Sequence, residues 1–177
     1  NNTAISKGLL ELLELGIIDR LPRLAVVQAA GANPLYTAWL GGEDVEPVKA
    51  DTIATAIKIG NPVSWRKSMR GIEALNGVVT EVTDDQIMDA KALVDAAGIG
   101  AEPASCATVA GILRLVGEGV IGSDERVVGI LTGNVLKDPD VVVNYHAGEL
   151  DGIESRRVNS PISARADLDE IRRIIRQ

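Results

Sequence analysis

The chain has 177 residues, 46% of them apolar and 24% charged, with a formal net charge of −7. That is the balance of a globular protein with enough chain for one α/β domain and a real core. The acidity argues against a nucleic-acid partner, which needs a basic surface, and no apolar run is long enough to span a membrane.

One cysteine, Cys106, rules out an intrachain disulfide and favours a reducing, cytoplasmic setting. No secretory leader opens the chain. It begins Asn1-Asn2-Thr3 without methionine, which points to a fragment or a processed chain. There is no Phe, and the aromatics are Tyr36, Trp39, Trp65 and Tyr145. The core must therefore come from Leu, Ile, Val and Ala.

Residues 4–15 carry Ile5, Leu9, Leu12 and Leu13 at helical spacing, and Gly16 suits the left-handed stop position. Leu24 to Gln28 is a short buried strand. Residues 34–40 form a brief helix closed by Gly41-Gly42. Residues 43–51 are a polar connection, and Thr52 to Ile59 is compatible with strand or helix. Ser64 to Leu75 is helical with Ser64 as N-cap, and Val78 to Val82 is a strand. Thr83-Asp84-Asp85-Gln86 matches a capping box and opens a helix running to about Ala97, closed by Gly98. Pro103 opens a helix over 103–116, and the final strand of the core is read at 126–131. Alternating strands and helices predict a parallel sheet with helices on both faces. Residues 141–162 read as loop. Asp167 to Glu170 again matches a capping box and opens a last helix with Leu168, Ile171, Ile174 and Ile175 on one face, and its C-terminal end is loaded with Arg172, Arg173 and Arg176.

The apolar run Val127 to Leu131 breaks abruptly into Thr132-Gly133-Asn134. Ligands of open α/β sheets bind at the carboxyl ends of strands, which places Thr132 where a hydroxyl would meet one. The same letters also make an ordinary turn, and on local pattern alone that plainer reading is the stronger. Glu102 stands just before a helix N-terminus. There a carboxylate is favourable for structural reasons, or it can edge a site. Asn1 precedes the first helix, a place for phosphate or for simple capping. Asp138 and Asp140 flank Pro139 and read as a turn, not a metal site. His146 is the only histidine, so no His-based zinc site is available. No serine or cysteine nucleophile motif accompanies it, and it reads as exposed or locally bonded. Cys106, in an alanine-rich helix, reads as a small hydrophobe. No GxGxxG, Walker A or GxSxG motif occurs.

Four pieces together resemble the threonine synthase family, enzymes of the fold-type II group that use pyridoxal 5′-phosphate. They are Ile18-Asp19-Arg20-Leu21-Pro22-Arg23 with Val27 to Pro34, Thr52 to Trp65, Glu102-Pro103-Ala104-Ser105-Cys106-Ala107 with Ala110-Gly111, and Leu131-Thr132-Gly133-Asn134 with Leu136 to Pro139. The second piece is the most specific. The third is also similar to serine/threonine dehydratases of the same group. The resemblance implies that residues 1–140 are the C-terminal part of the cofactor-binding α/β domain and that residues 141–177 are an extension. It implies conversion of O-phospho-L-homoserine and water to L-threonine and phosphate, in a homodimer.

The resemblance also assigns cofactor contacts. Thr132 matches the hydroxyl that bonds the cofactor's pyridine nitrogen, with Gly133 beside it. Asn1 matches the end of the loop that cradles the phosphate. Ala56 matches the segment against the ring, and Glu102 a polar position nearby. The family's Schiff-base lysine lies ahead of that phosphate loop. None of Lys7, Lys49, Lys58, Lys67, Lys91 and Lys137 stands in a matching context. Covalent catalysis needs that amine, so the residues present are expected to hold cofactor and not to complete the enzyme without an N-terminal half. The alternatives are a non-catalytic α/β module that binds a phosphate-bearing ligand or a partner, and another fold-type II lyase such as a dehydratase.

Overall fold

In the computed structural model, which describes residues 1–176, two strands run parallel at the centre. They are β1 (Ala25–Ala29) and β2 (Val78–Val82). Ala25 pairs with Val78 and the register continues to Ala29 with Val82. Both are short, β-branched runs bounded by turn residues, as a doubly covered parallel strand requires. Alternation along the strands divides the side chains between two cores. Val27, Ala29 and Val82 face one core, and Val26 and Val79 the other.

The second core is closed by α2 (Pro34–Gly41) and α3 (Trp65–Ala74), which add Leu35, Ala38, Trp39, Trp65, Met69 and Ile72. A long helix, α1 (Asn2–Glu14), packs on α3. The first core is closed by α4 (Asp84–Ala96) and α5 (Pro103–Gly117). It is notably fine-grained: Ala54, Ala90, Ala101, Ala104, Cys106, Ala107 and Ala110 fill it together with Ile87 and Val94. Without phenylalanine, density comes from bringing backbones close. At Gly111 an added Cβ would stand 2.3 Å from Val27 Cγ2, so only glycine lets α5 lie this near the sheet. Burial pushes the Cys106 thiol up to about 11, which suits an inert core residue.

Local signals hold where the sequence carried a complete motif. Thr83 accepts from the Gln86 amide while the Gln86 side chain accepts from the Thr83 amide, both halves of the capping box. Gly16 and Gly42 adopt φ of +68° and +67° after α1 and α2. Ser64 stands at the N-cap of α3, but its carbonyl, not its hydroxyl, takes the amides of Lys67 and Ser68. Residues 52–59 form neither strand nor α-helix. They hold a single 3-10 turn, Thr55–Ile57.

Two expectations are corrected. Residues 126–131 do not form a strand. A strand needs a neighbour's backbone groups, and among the described residues the sheet holds β1 and β2 alone. The run instead lies along α5, where Thr108 Oγ1 donates to the Ile130 carbonyl at 3.4 Å, and Val128 is left 84% exposed. Residues 141–162 are not all loop, because Pro139 opens α6 (Pro139–Ala147). Proline is well suited to the first helical position, so the Asp138–Asp140 segment is a helix start and not a free turn.

α6 is held on α4 by polar contacts beneath a small apolar cluster of Met88, Ala92 and Tyr145. Tyr145 is fully buried. Its hydroxyl donates to Asp89 Oδ1 at 2.7 Å and accepts the Arg157 amide at 3.1 Å. Burial, and then the bond to Asp89, raise its pKa. His146, beside it, is buried and Nδ1 accepts the Asn159 amide at 3.0 Å. It is locally bonded, one of the two readings its sequence allowed. The final helix, α7 (Leu168–Ile175), begins with Asp167 accepting the Glu170 amide. The Glu170 carboxylate pairs with Arg165, so the second half of that capping box is not made. Leu168, Ile171 and Ile175 remain exposed on α7.

Gly111→Ala should destabilise the fold by about 1–3 kcal/mol through overpacking against Val27, read as a lowered urea midpoint with unchanged slope. Burial lowers the His146 pKa, Lys91 lowers it further, and Asp95 opposes both. With the folded value below the unfolded value of about 6.5, the unfolded chain binds the extra proton. Stability from this group is therefore complete above the unfolded value and declines as pH falls through the folded one. Protonation also turns Nδ1 from acceptor to donor against the Asn159 amide. Proteolysis of the 148–176 segment should quicken on acidification, and His146→Asn should remove that part of the pH response.

Candidate functional site

The first turn of α5 and the loop after residue 131 meet at a polar node. Glu102 is the N-cap of α5, with its carbonyl accepting the amides of Ser105 and Cys106. Ser105 follows three residues later, on the same helical face. Its Oγ accepts two backbone amides, from Thr132 at 3.1 Å and from Gly133 at 2.9 Å. The Gly133 carbonyl accepts the Glu102 amide at 3.0 Å, and Ala101 bridges Asn134 in antiparallel fashion. The loop is thus fastened to the helix start through both backbone and hydroxyl.

Glu102 is 3% exposed. Its Oε1 lies 3.4 Å from Ser105 Oγ. Its Oε2 is buried without a hydrogen-bond partner, although Lys137 Nζ stands 3.2 Å away, off the bonding direction. A buried carboxylate needs compensating charge or hydrogen bonds, and the Lys137 ammonium supplies the charge. Gly133 is required sterically, since an added Cβ would fall 1.9 Å from Glu102 Oε1. The Thr132 hydroxyl is 3.4 Å from Ser105 Oγ on a residue open to solvent.

Of the residues singled out from the sequence, Glu102, Thr132 and Gly133 come together here. Ala56 lies on the 3-10 turn that packs against α5, and its neighbour Thr55 donates to Asp138 Oδ2 at 2.7 Å, tying that turn to the same loop. Ala56 itself makes no polar contact to the node. Asn1 is at the start of α1, where its carbonyl accepts the amides of Ala4 and Ile5. Among the described residues nothing bonds it to the node. Ser105 and Lys137 went unassigned in the sequence. The one signal for Ser105 was its three-residue spacing from Glu102, which a helix converts into adjacency. Lys137 had none, because it reaches Glu102 only through the folding of the loop.

Chemically, the node offers an exposed neutral hydroxyl and loop backbone backed by a buried hydroxyl and a buried carboxylate. Among the described residues no carboxylate hydrogen-bonds the Thr132 hydroxyl, whose side-chain neighbour is Ser105 Oγ. Such a donor set fits an uncharged heteroaromatic nitrogen better than a protonated one, which would call for an anionic partner. A cleft of about 480 Å³ elsewhere is lined by Asp51, Asp84, Asp85, Asp151 and Lys58. There Asp84 accepts from the Thr52 hydroxyl and the Ile53 amide, and Asp85 from the Glu154 amide. No group of His, Cys, Asp and Glu fit to hold a metal ion occurs among the described residues, nor is any helix there long and apolar enough to cross a membrane.

Comparison with known proteins gives the family of the chain. Residues 1–133 match the family model described as pyridoxal-phosphate dependent enzyme. The chain is 47% identical over 147 residues to the threonine synthase of Methanosarcina acetivorans, an alignment covering 81% of this chain and 36% of that protein. It is 40% identical over 180 residues to that of Methanocaldococcus jannaschii, covering 100% and 42%. It is 36% identical over 180 residues to threonine synthase 2, chloroplastic, of Arabidopsis thaliana, covering 100% and 35%. The chain therefore spans well under half the length of these relatives. With three-quarters of its residues inside the family match, the chain belongs to the family of pyridoxal-phosphate dependent enzymes.

Proposed function

We propose that this chain is the C-terminal part of a threonine synthase, which converts O-phospho-L-homoserine and water to L-threonine and phosphate. The observation that carries the reading is the joining of Glu102, Thr132 and Gly133 at one node, in a chain this similar to threonine synthases. In this reading residues 1–140 belong to the cofactor-binding domain and residues 141–177 are an extension. An N-terminal half supplies the lysine that carries the cofactor, and the assembly is a cytoplasmic homodimer.

Bound pyridoxal phosphate would supply an electron sink for carbanion chemistry at the substrate's carbon atoms. The chain's own residues would hold and orient it. Thr132 would offer its hydroxyl to the ring nitrogen, and Gly133 keeps the loop backbone close against Glu102. Ala56 would border the ring, Asn1 and the amides that open α1 would take the phosphate, and Glu102 would set the polarity behind the loop. The unpaired 126–131 run, with Val127, Val128 and Ile130 exposed, supports a reading in which further chain completes this layer.

The deciding assay is phosphate release from O-phospho-L-homoserine by the natural protein carrying this chain, with and without pyridoxal phosphate. Release that depends on the cofactor is expected. Deamination of serine or threonine without phosphate release would overturn the assignment in favour of a dehydratase. Thr132→Val should lower turnover about tenfold, the equivalent of one hydrogen bond of roughly 1.4 kcal/mol, and should shift the cofactor's absorption. Unchanged turnover and spectrum would remove Thr132 from the site.

A further inference from the structure

We infer that Ser105 is a positioning residue that obliges the Thr132 hydroxyl to donate, and not accept, toward the ligand it faces. The inference rests on the cofactor reading above and adds to it a reason for the direction of one hydrogen bond. A serine hydroxyl has one proton and two acceptor sites. Both acceptor sites of Ser105 are taken, by the Thr132 amide at 3.1 Å and the Gly133 amide at 2.9 Å. Ser105 is 4% exposed, so water does not compete freely for those sites.

The remaining Ser105 proton has two acceptors within reach, Glu102 Oε1 and Thr132 Oγ1, both at 3.4 Å. Either choice has the same consequence. With no free acceptor site on Ser105, the Thr132 proton cannot turn inward to it and is directed outward. The buried Glu102 carboxylate, with Oε2 unbonded, keeps acceptor capacity behind the node and favours charge-assisted donation from Ser105. An outward donor is matched by an unprotonated ring nitrogen and mismatched by a protonated one. Ser105 therefore holds the nitrogen unprotonated through Thr132 without touching it.

The test loads the natural protein carrying this chain with pyridoxal phosphate labelled with 15N at the ring and follows the nitrogen resonance across neutral pH. Wild type should show an unprotonated nitrogen whose signal is flat with pH. Ser105→Ala removes the hydroxyl that fills this space and donates to Glu102, which leaves the Glu102 carboxylate as the inward acceptor for the Thr132 proton. Thr132 can then accept from the ring, and the resonance should move toward the protonated position and titrate. Ser105→Thr, which keeps the hydroxyl, should restore the wild-type signal, a rescue that mere space-filling would not give. Ser105→Cys keeps the side-chain volume with a weak acceptor and should shift in the same direction as alanine, which covers the case in which the alanine variant fails to fold. A folded, loaded Ser105→Ala or Ser105→Cys protein with the wild-type resonance and pH response overturns the inference. Failure of the wild-type protein to take up pyridoxal phosphate overturns the cofactor reading instead.

Discussion

The close approach of α5 to the sheet at Gly111 is the constraint from which the rest of the structure follows. A hydrogen in place of a side chain lets the helix settle against Val27, and Ala107 and Ala110 on the same helix keep that surface shallow. The core between α5 and the sheet holds no aromatic side chain to bridge a wider gap. Interiors must nevertheless be close-packed, so the backbones move inward. The position of α5 fixes where its first turn emerges, and that turn carries Glu102 and Ser105. A packing decision in the middle of the helix thus places the polar groups at its end.

The node at that end combines features that are costly one at a time. A buried carboxylate, a buried hydroxyl and two loop amides would each need a partner, and they partner one another. Ser105 takes the loop amides, the Gly133 carbonyl takes the Glu102 amide, and Lys137 lies beside the carboxylate. Because the members depend on each other, the loop has one defined conformation with its hydroxyl presented outward. That is the preorganisation a cofactor site needs, since donors held in place need little reordering when the ligand arrives.

The C-terminal segment is attached by different means. α6 is held to α4 through the Tyr145–Asp89 bond, and the stretch to residue 159 is held to α6 through His146 and Ser155, polar contacts around a small apolar cluster. Such an attachment is directional and depends on protonation, whereas the main cores rest on apolar burial, which does not titrate. Lys91, fully buried on α4 and paired with Asp95, lies close enough to influence both Cys106 and His146. The charge of α4 therefore reaches into the first core and under the tail at once.

The sequence by itself determined β1, β2 and the helices with complete local signals: the capping box at Thr83, the glycines after α1 and α2, Pro103 at the start of α5. Each of these is a contact within a few residues, so neighbouring letters specify it. It also carried the family resemblance, and with it the candidate positions Thr132, Gly133 and Glu102. Only the tertiary structure decided the fate of 126–131, whose apolar, β-branched run has strand propensity but no neighbouring ladder to join. Only the tertiary structure made Ser105 the receiver of two amides from residues 27 and 28 positions away, and brought Lys137 to Glu102. The physical reason is the same in each case. A strand's pairing and a buried group's partner are properties of what lies across space, and composition and periodicity report only what lies along the chain.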